Sequence, residues 1–154
     1  MPQVVFIGLG LNDEKGMTLE GLEAARQADR VFAEFYTNTM PNLLLNELED
    51  MIGKKVEVLT RTQLEDENGK RILSSAERER VAFLVPGDPM IATTHVTLRL
   101  ELARKGIETR IIHSASIFSA VCGATGLQSY KFGKSTTLPR DGPVPPSVIE
   151  AVRE

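Results

Sequence analysis

The chain has 154 residues, 42% of them apolar and 25% charged, a length and balance suited to a globular domain with a true core. Its 18 basic and 21 acidic residues leave a net charge of −3, which excludes the basic surface that non-specific nucleic-acid binding uses, so no direct nucleic acid is expected. One cysteine, Cys122, excludes an internal disulfide, no apolar run nears the roughly 20 residues of a membrane span, and Met1-Pro-Gln-Val-Val-Phe-Ile carries no basic leader; a cytoplasmic protein with no membrane contact is expected.

In chain order, an apolar run at 4–7 predicts a first strand, which empties into Gly8-Leu-Gly10-Leu11-Asn-Asp13. Two glycines one residue apart permit a sharp turn and a close backbone approach by a ligand. Asp13 stands where the third glycine of G-x-G-x-x-G belongs, so a plain strand-to-helix turn explains the segment equally well. Thr18 is placed to cap a helix whose stripe is Leu19, Leu22, Ala25 and Ala28. A second strand at 31–34 ends on Glu34, with Tyr36 beyond it. Both can face an open cleft; a solvated carboxylate and a half-buried ring are the plainer alternative. Leu44, Leu48, Met51 and Ile52 make a second helical stripe, closed by Gly53. Residues 55–59 alternate through Val56 and Val58, the pattern of an edge strand, and a short helix is expected over 74–80.

The run 81–85 stops at Pro86-Gly87-Asp88-Pro89. Asp88 can meet an amine or a ribose hydroxyl, or simply bond its own backbone. A helix pattern follows from about Thr93, with Val96, Leu100 and Ala103 on one stripe and Gly106 as its stop. The fifth strand, 108–113, leads into Ser114-Ala-Ser116-Ile117-Phe-Ser119, small residues that can line a pocket or cap a helix. His95 and His113 have no partners at metal-ligand spacing. His113 is expected near the core, and Cys122, among Ala120, Val121 and Ala124, as an inert buried thiol. Tyr130, Lys131 and Lys134 form a small basic and aromatic cluster. Neither Gly-x-Ser-x-Gly nor a P-loop occurs. Residues 138–146 are rich in proline and read as a linker, after which Ser147 is expected to cap a helix holding Val148, Ile149 and Val152.

Strands alternating with helices predict an α/β fold: a five-stranded, mainly parallel sheet with helices on both faces. It is assigned to residues 1–137, with 138–154 as a linker and the start of a C-terminal domain absent from this chain. Ligands of such sheets sit beyond the strands' carboxyl ends, where the Gly8–Gly10, Gly87–Asp88 and Ser116–Ile117 segments fall.

The stretches FIGLGLNDEKGMTLEGLEAA, ADRVFAEFYTN, VAFLVPGDPMIATTHVTLRLE and IIHSASIFSAVCGATGLQSYKFGKS together resemble the diphthine synthases, diphthamide-biosynthesis methyltransferases of the tetrapyrrole-methylase-like superfamily. The resemblance implies the N-terminal domain of a two-domain, homodimeric enzyme that holds S-adenosyl-L-methionine in the cleft between domains. It further implies methylation of the amino group of a modified histidine on translation elongation factor 2. Carried over by motif, Leu11 after the glycine turn, Asp88 and Ile91 in and after the P-G-D-P loop, and Ser116 and Ile117 after the fifth strand are cofactor contacts. Gly8, Gly10 and Gly87 are the glycines that let the backbone close on the cofactor. No catalytic base is assigned. A tetrapyrrole or ribosomal RNA methyltransferase of the same superfamily, and a non-catalytic half-domain that binds a partner, are the alternatives.

Overall fold

Continuous Val/Ile/Phe/Leu runs form strands that can be covered on both faces, and three of them, β1 (Gln3–Gly8), β2 (Arg30–Ala33) and β4 (Arg80–Val85), assemble here with the more polar β3 (Val56–Val58) and β5 (Glu108–Ile112). The computed structural model describes residues 3–139 and 142–153. The sheet order is β3-β2-β4-β1-β5, and every pairing is parallel. The alternating 55–59 segment is an edge strand, as its pattern predicts.

Strand residues alternate between two apolar layers. Val5, Ile7, Val31, Ala33, Ala82 and Leu84 face α1 (Leu19–Gln27) and α2 (Leu45–Ile52) through Ala25, Leu48 and Ile52. Val4, Phe6, Phe32, Val81, Phe83 and Val85 face α3 (Arg61–Leu64), α4 (Lys70–Ala76) and α5 (His95–Arg104) through Leu64, Ile72, Ala76, Leu98 and Leu102. Thr18 caps α1 through its hydroxyl on the Gly21 N–H, and Gly53 closes α2 in the left-handed conformation, both as predicted.

The connection after β1 travels through α1 toward the β3 edge, whereas that after the adjacent β4 travels through α5 toward the β5 edge. Neighbouring strands thus send their chains to opposite faces and leave a crevice at their carboxyl ends.

Several helical expectations change: Leu19, expected on the α1 stripe, is 81% exposed, and Leu44, expected on the α2 stripe, precedes the helix and is 56% exposed. The short helix lies at Lys70–Ala76 instead of 74–80, because Ile72 and Ala76 supply its buried pair while Arg80 already belongs to β4. In α5 the buried face is His95, Leu98 and Leu102, and the expected stripe of Val96 and Leu100 is 53% exposed at both positions. Apolar periodicity misses this face because its first anchor is a histidine. A short helix over Arg61–Leu64, not anticipated, is fixed by a capping box between Thr60 and Gln63.

The chain forms two compact units, 1–117 and 118–154. The second holds the body of α6 (Ile117–Thr125), a 3-10 turn at Ser129–Lys131 and α7 (Pro146–Arg153). Ser147 lies inside α7 instead of capping it; Pro146, whose fixed φ suits a first helical position, opens the helix. Cys122 is only half-buried, since no residue of α6 is buried. Tyr130, Lys131 and Lys134 are exposed. Residues 138–139 and 142–145 form no helix or strand, and positions 140 and 141 of the expected linker lie outside the described residues.

Candidate functional site

The loops leaving β1, β2, β4 and β5 meet at one edge of the sheet and are tied to one another. Gly10 and Gly87 form an isolated antiparallel bridge, each N–H donating to the other's carbonyl at 3.2 and 2.7 Å. Both have positive φ, 78° and 68°, a conformation that glycine adopts without the penalty of a side chain. Gly8 is needed for space: a β-carbon there would sit 2.6 Å from the Gly87 carbonyl oxygen and 2.7 Å from Ser114 Cβ. The Asn42 N–H and side-chain amide donate to the Asn12 carbonyl and Oδ1, and the Ser114 hydroxyl donates to the Gly16 carbonyl.

Asp88 joins the loop after β4 to the end of β5. Its Oδ1 accepts from the Met90 N–H at 2.9 Å; its Oδ2 lies 2.7 Å from His113 Nδ1 and accepts from the Ser114 N–H at 3.4 Å. The carboxylate is buried while the imidazole is 70% exposed. His113 is therefore not the near-core histidine the sequence suggested: it stands at the rim, because β5 has ended at Ile112.

These ties enclose a cleft of about 440 Å³, within the range of small-molecule sites. Leu11 comes from the first loop, Thr37, Asn38 and Thr39 from the second, Pro86, Gly87, Asp88, Ile91, Ala92 and Thr93 from the fourth, and Ser116 and Ile117 from the segment after β5. Six of the eight residues singled out from the sequence thus line one cavity: Leu11, Gly87, Asp88, Ile91, Ser116 and Ile117. Gly8 and Gly10 do not line it and shape the loops instead. Residues 37–39, 92 and 93 were not foreseen individually. The signal for them is topological: in a parallel sheet every strand exits at the same edge, so the loop after β2 belongs to the site as much as the others.

Glu34 and Tyr36 do not line the cleft. Glu34 is fully buried and faces His95, whose Nε2 lies 3.1 Å from its Oε1. Burial opposes ionisation of Glu34, but the bonds from His95 and from the Thr37 hydroxyl and N–H outweigh it, so the carboxyl is held below its ordinary range. Tyr36 lies under the Arg61 guanidinium, 5.3 Å from its ring centroid. Burial, with the charges of Glu34 and Glu65, pushes its hydroxyl up to about 12.

Among the described residues Asp88 is the one titratable side chain in the cleft lining, and both its oxygens already accept bonds. Backbone turns built on glycine, two threonine hydroxyls either side of an amide, and apolar Leu11, Ile91 and Ile117 suit a ligand with both polar edges and an apolar or aromatic body. Among the described residues no group of three His, Cys, Asp or Glu is placed to hold a metal.

Comparison with known proteins agrees with this architecture. The family model of the Tetrapyrrole (Corrin/Porphyrin) Methylases matches residues 3–154. The chain is 53% identical over 135 residues to a diphthine synthase of Methanocella arvoryzae, covering 88% of this chain and 52% of that protein. It is 49% identical over 151 residues to a diphthine synthase of Archaeoglobus fulgidus, covering 97% and 59%. A crystal structure of diphthine synthase superposes with a TM-score of 0.89 at 46% identity, covering 98% of this chain and 59% of that one. The chain thus spans about half the length of the curated relatives it matches. With a doubly wound parallel sheet, a glycine-bridged crevice and a match along nearly its whole length, the chain belongs to the tetrapyrrole (corrin/porphyrin) methylase family.

Proposed function

We propose that this chain supplies the N-terminal, cofactor-holding half of a diphthine synthase, an S-adenosyl-L-methionine-dependent methyltransferase acting on translation elongation factor 2. The observation that carries this reading is the convergence of Leu11, Gly87, Asp88, Ile91, Ser116 and Ile117 on one cleft, from segments that carry the resemblance to that family. The similarity to diphthine synthases of archaea favours this substrate over a tetrapyrrole or ribosomal RNA. In this reading residues 1–137 make the first domain, 138–154 lead toward a second, and the enzyme works as a cytoplasmic homodimer.

S-adenosyl-L-methionine brings a methyl group on a sulfonium, a good leaving group, so the protein's task is alignment and exclusion of water. The residues fit that task. Gly87, held by its bridge to Gly10, brings backbone to the cleft lining with no side chain in the way, Leu11, Ile91 and Ile117 offer apolar walls, and Asp88 orients by its place in the loop. Because both Asp88 oxygens are engaged, it is not available as a general base. The acceptor amine must be neutral, and burial in the cleft lowers an amine's pKa in the required direction.

Calorimetry with S-adenosylhomocysteine tests the cofactor assignment. Saturable binding is expected, weakened at least about tenfold (about 1.4 kcal/mol) by Asp88→Asn, together with a lower melting temperature, because the amide nitrogen cannot accept the bonds that one carboxylate oxygen now takes. Equal affinity in Asp88→Asn and parent would remove Asp88 from the site. Methyl transfer to elongation factor 2 carrying the modified histidine, run beside tetrapyrrole and ribosomal RNA acceptors, separates the substrate classes; labelling of either of the latter would overturn the substrate assigned here.

A further inference from the structure

We infer that the buried Glu34–His95 pair is a positioning device that fixes two walls of the cleft against each other. The inference rests on the cleft being a ligand site, as proposed above, and concerns residues that do not touch the ligand.

Glu34 stands one residue beyond β2, at the base of the loop that carries Thr37, Asn38 and Thr39 into the cleft. His95 is the first residue of α5, at the end of the loop that carries Ile91, Ala92 and Thr93. Their relative exposures are 0% and 2%. Four donors fill the carboxylate: His95 Nε2 and the Thr37 hydroxyl on Oε1, and the Tyr36 and Thr37 N–H groups on Oε2 at 2.9 and 3.0 Å. An ionised carboxylate offers about four such positions, so Glu34 has none left for a substrate proton and acts only on its neighbours. It orders its own loop through three of these bonds and reaches the other loop through the fourth.

The far side of the pair is equally constrained. The His95 ring meets Phe83 of β4 edge-on, with centroids 5.0 Å apart. Thr94, the residue before α5, makes no capping bond to the helix with its side chain and donates its hydroxyl to Glu65 Oε1 at 3.2 Å instead, so the start of α5 is held by bonds to other elements, of which the imidazole's is the one that reaches the loop after β2. Ala92, in the cleft lining three residues before this anchor, has φ 55°, a left-handed conformation that a residue with a β-carbon keeps only when its surroundings impose it. Thr93 hooks the Pro89 carbonyl at 2.8 Å on one side of the loop, and His95 pins the other. A buried pair of this kind adds little net stability compared with an apolar pair of like shape. What it adds is one fixed spacing between loops 35–39 and 91–94.

The test uses the 154-residue chain with two readouts: amide hydrogen exchange and calorimetric binding of S-adenosylhomocysteine. The variants are His95→Phe, which keeps a ring against Phe83 but removes the donor; Glu34→Gln; His95→Gln, which restores one N–H; and Ile72→Val, a core change on the same sheet face. At a temperature where all are folded, His95→Phe and Glu34→Gln are expected to speed exchange at Tyr36 and Thr37 at least tenfold and to weaken binding at least tenfold. His95→Gln is expected to recover part of both, and Ile72→Val to change neither. Unchanged exchange at Tyr36 and Thr37 in His95→Phe, or the same loosening in Ile72→Val, would overturn the inference. Should His95→Phe fail to fold, His95→Gln read against Ile72→Val decides it by the same localised loosening. If the parent binds no S-adenosyl compound, the proposed ligand fails while the exchange measurement still judges the pair.

Discussion

Strand β2 carries an acid at each end, paired with a base of β4 at one end and of α5 at the other, and the two ties differ in kind. At the amino end, Asp29 receives the Arg80 backbone N–H at 2.8 Å and the guanidinium at 3.2 and 3.0 Å, all in solvent. At the carboxyl end, Glu34 and His95 meet in the dry layer beside Phe83. The exposed pair can be rearranged by water and screened by salt at little cost. The buried pair has no such freedom: each partner is satisfied only in one geometry. The rigid tie is found at the end that carries the cleft, where spacing between loops determines what fits, and the adjustable one at the end that carries no assigned role.

The sharpest way to break that contrast is to remove one partner at each end. His95→Phe leaves the Glu34 charge buried without its imidazole and should cost about 3 kcal/mol, the lower end of what breaking a buried pair costs, since Thr37 and Tyr36 still donate to it. Arg80→Ala, which leaves Asp29 free to be hydrated, should shift the urea midpoint far less. Equal shifts for the two variants would mean that the buried pair is no more constrained than the exposed one.

A second contrast concerns glycines at the two kinds of junction. Gly8→Ala forces a methyl group to 2.6 Å from the Gly87 carbonyl and 2.7 Å from Ser114 Cβ, so the loops after β1, β4 and β5 must part. A loss of about 1–3 kcal/mol is expected from such overpacking, together with loss of ligand binding. Gly53→Ala, at the end of α2, meets nothing within 4 Å and carries only the strain of φ 78°, about 1 kcal/mol, with binding retained. Retained binding in Gly8→Ala would show that the loop junction need not be closed for the cleft to work.

The same elements show what the sequence reveals and where it stops. The inner strands β1, β2 and β4 are legible because a strand covered on both faces has to be mostly apolar, and the edge strands β3, which carries Glu57, and β5, which carries Glu108, Thr109 and Arg110, are legible from the apolar residues that remain between or after them. The loops of the cleft are legible where glycine marks a forced turn, at Gly10 and Gly87, or a close approach, at Gly8, and six of the eight residues named from motif and resemblance reach one cavity. The α5 face is not legible. Its apolar periodicity selects Val96 and Leu100, which stay exposed, while the buried face starts at His95. His95 is buried with its ring nitrogen on a partner, Glu34, that lies 61 positions away. Pairings of that span leave no local pattern. The solvated reading of Glu34 and the near-core reading of His113 fail for the same reason: which histidine meets which carboxylate is settled by strand order, and strand order is not written in any window of the chain.

Acid separates the two ties by a smaller effect. Bonds from the Arg80 side chain and backbone hold the Asp29 carboxyl down from 3.8 to about 2, and Glu34 is likewise held below 4.5. A carboxyl that is more acidic in the folded chain leaves the unfolded chain binding more protons as the pH falls. Both groups therefore contribute stability that is complete above their unfolded values and is lost as the pH drops through their folded ones. For Asp29 that window runs from about 4 down to about 2. Asp29→Asn should flatten the fall in urea midpoint across it, and 1 M salt should flatten it in the parent, because the screening length shrinks to about 3 Å. Glu34→Gln should flatten the acid limb in a way that salt does not reproduce, since no counter-ion reaches the buried carboxylate. An acid limb equally sensitive to salt in Asp29→Asn and in the parent would place the screened charge elsewhere on the surface, and the exposed tie would then contribute nothing that distinguishes it from its solvent.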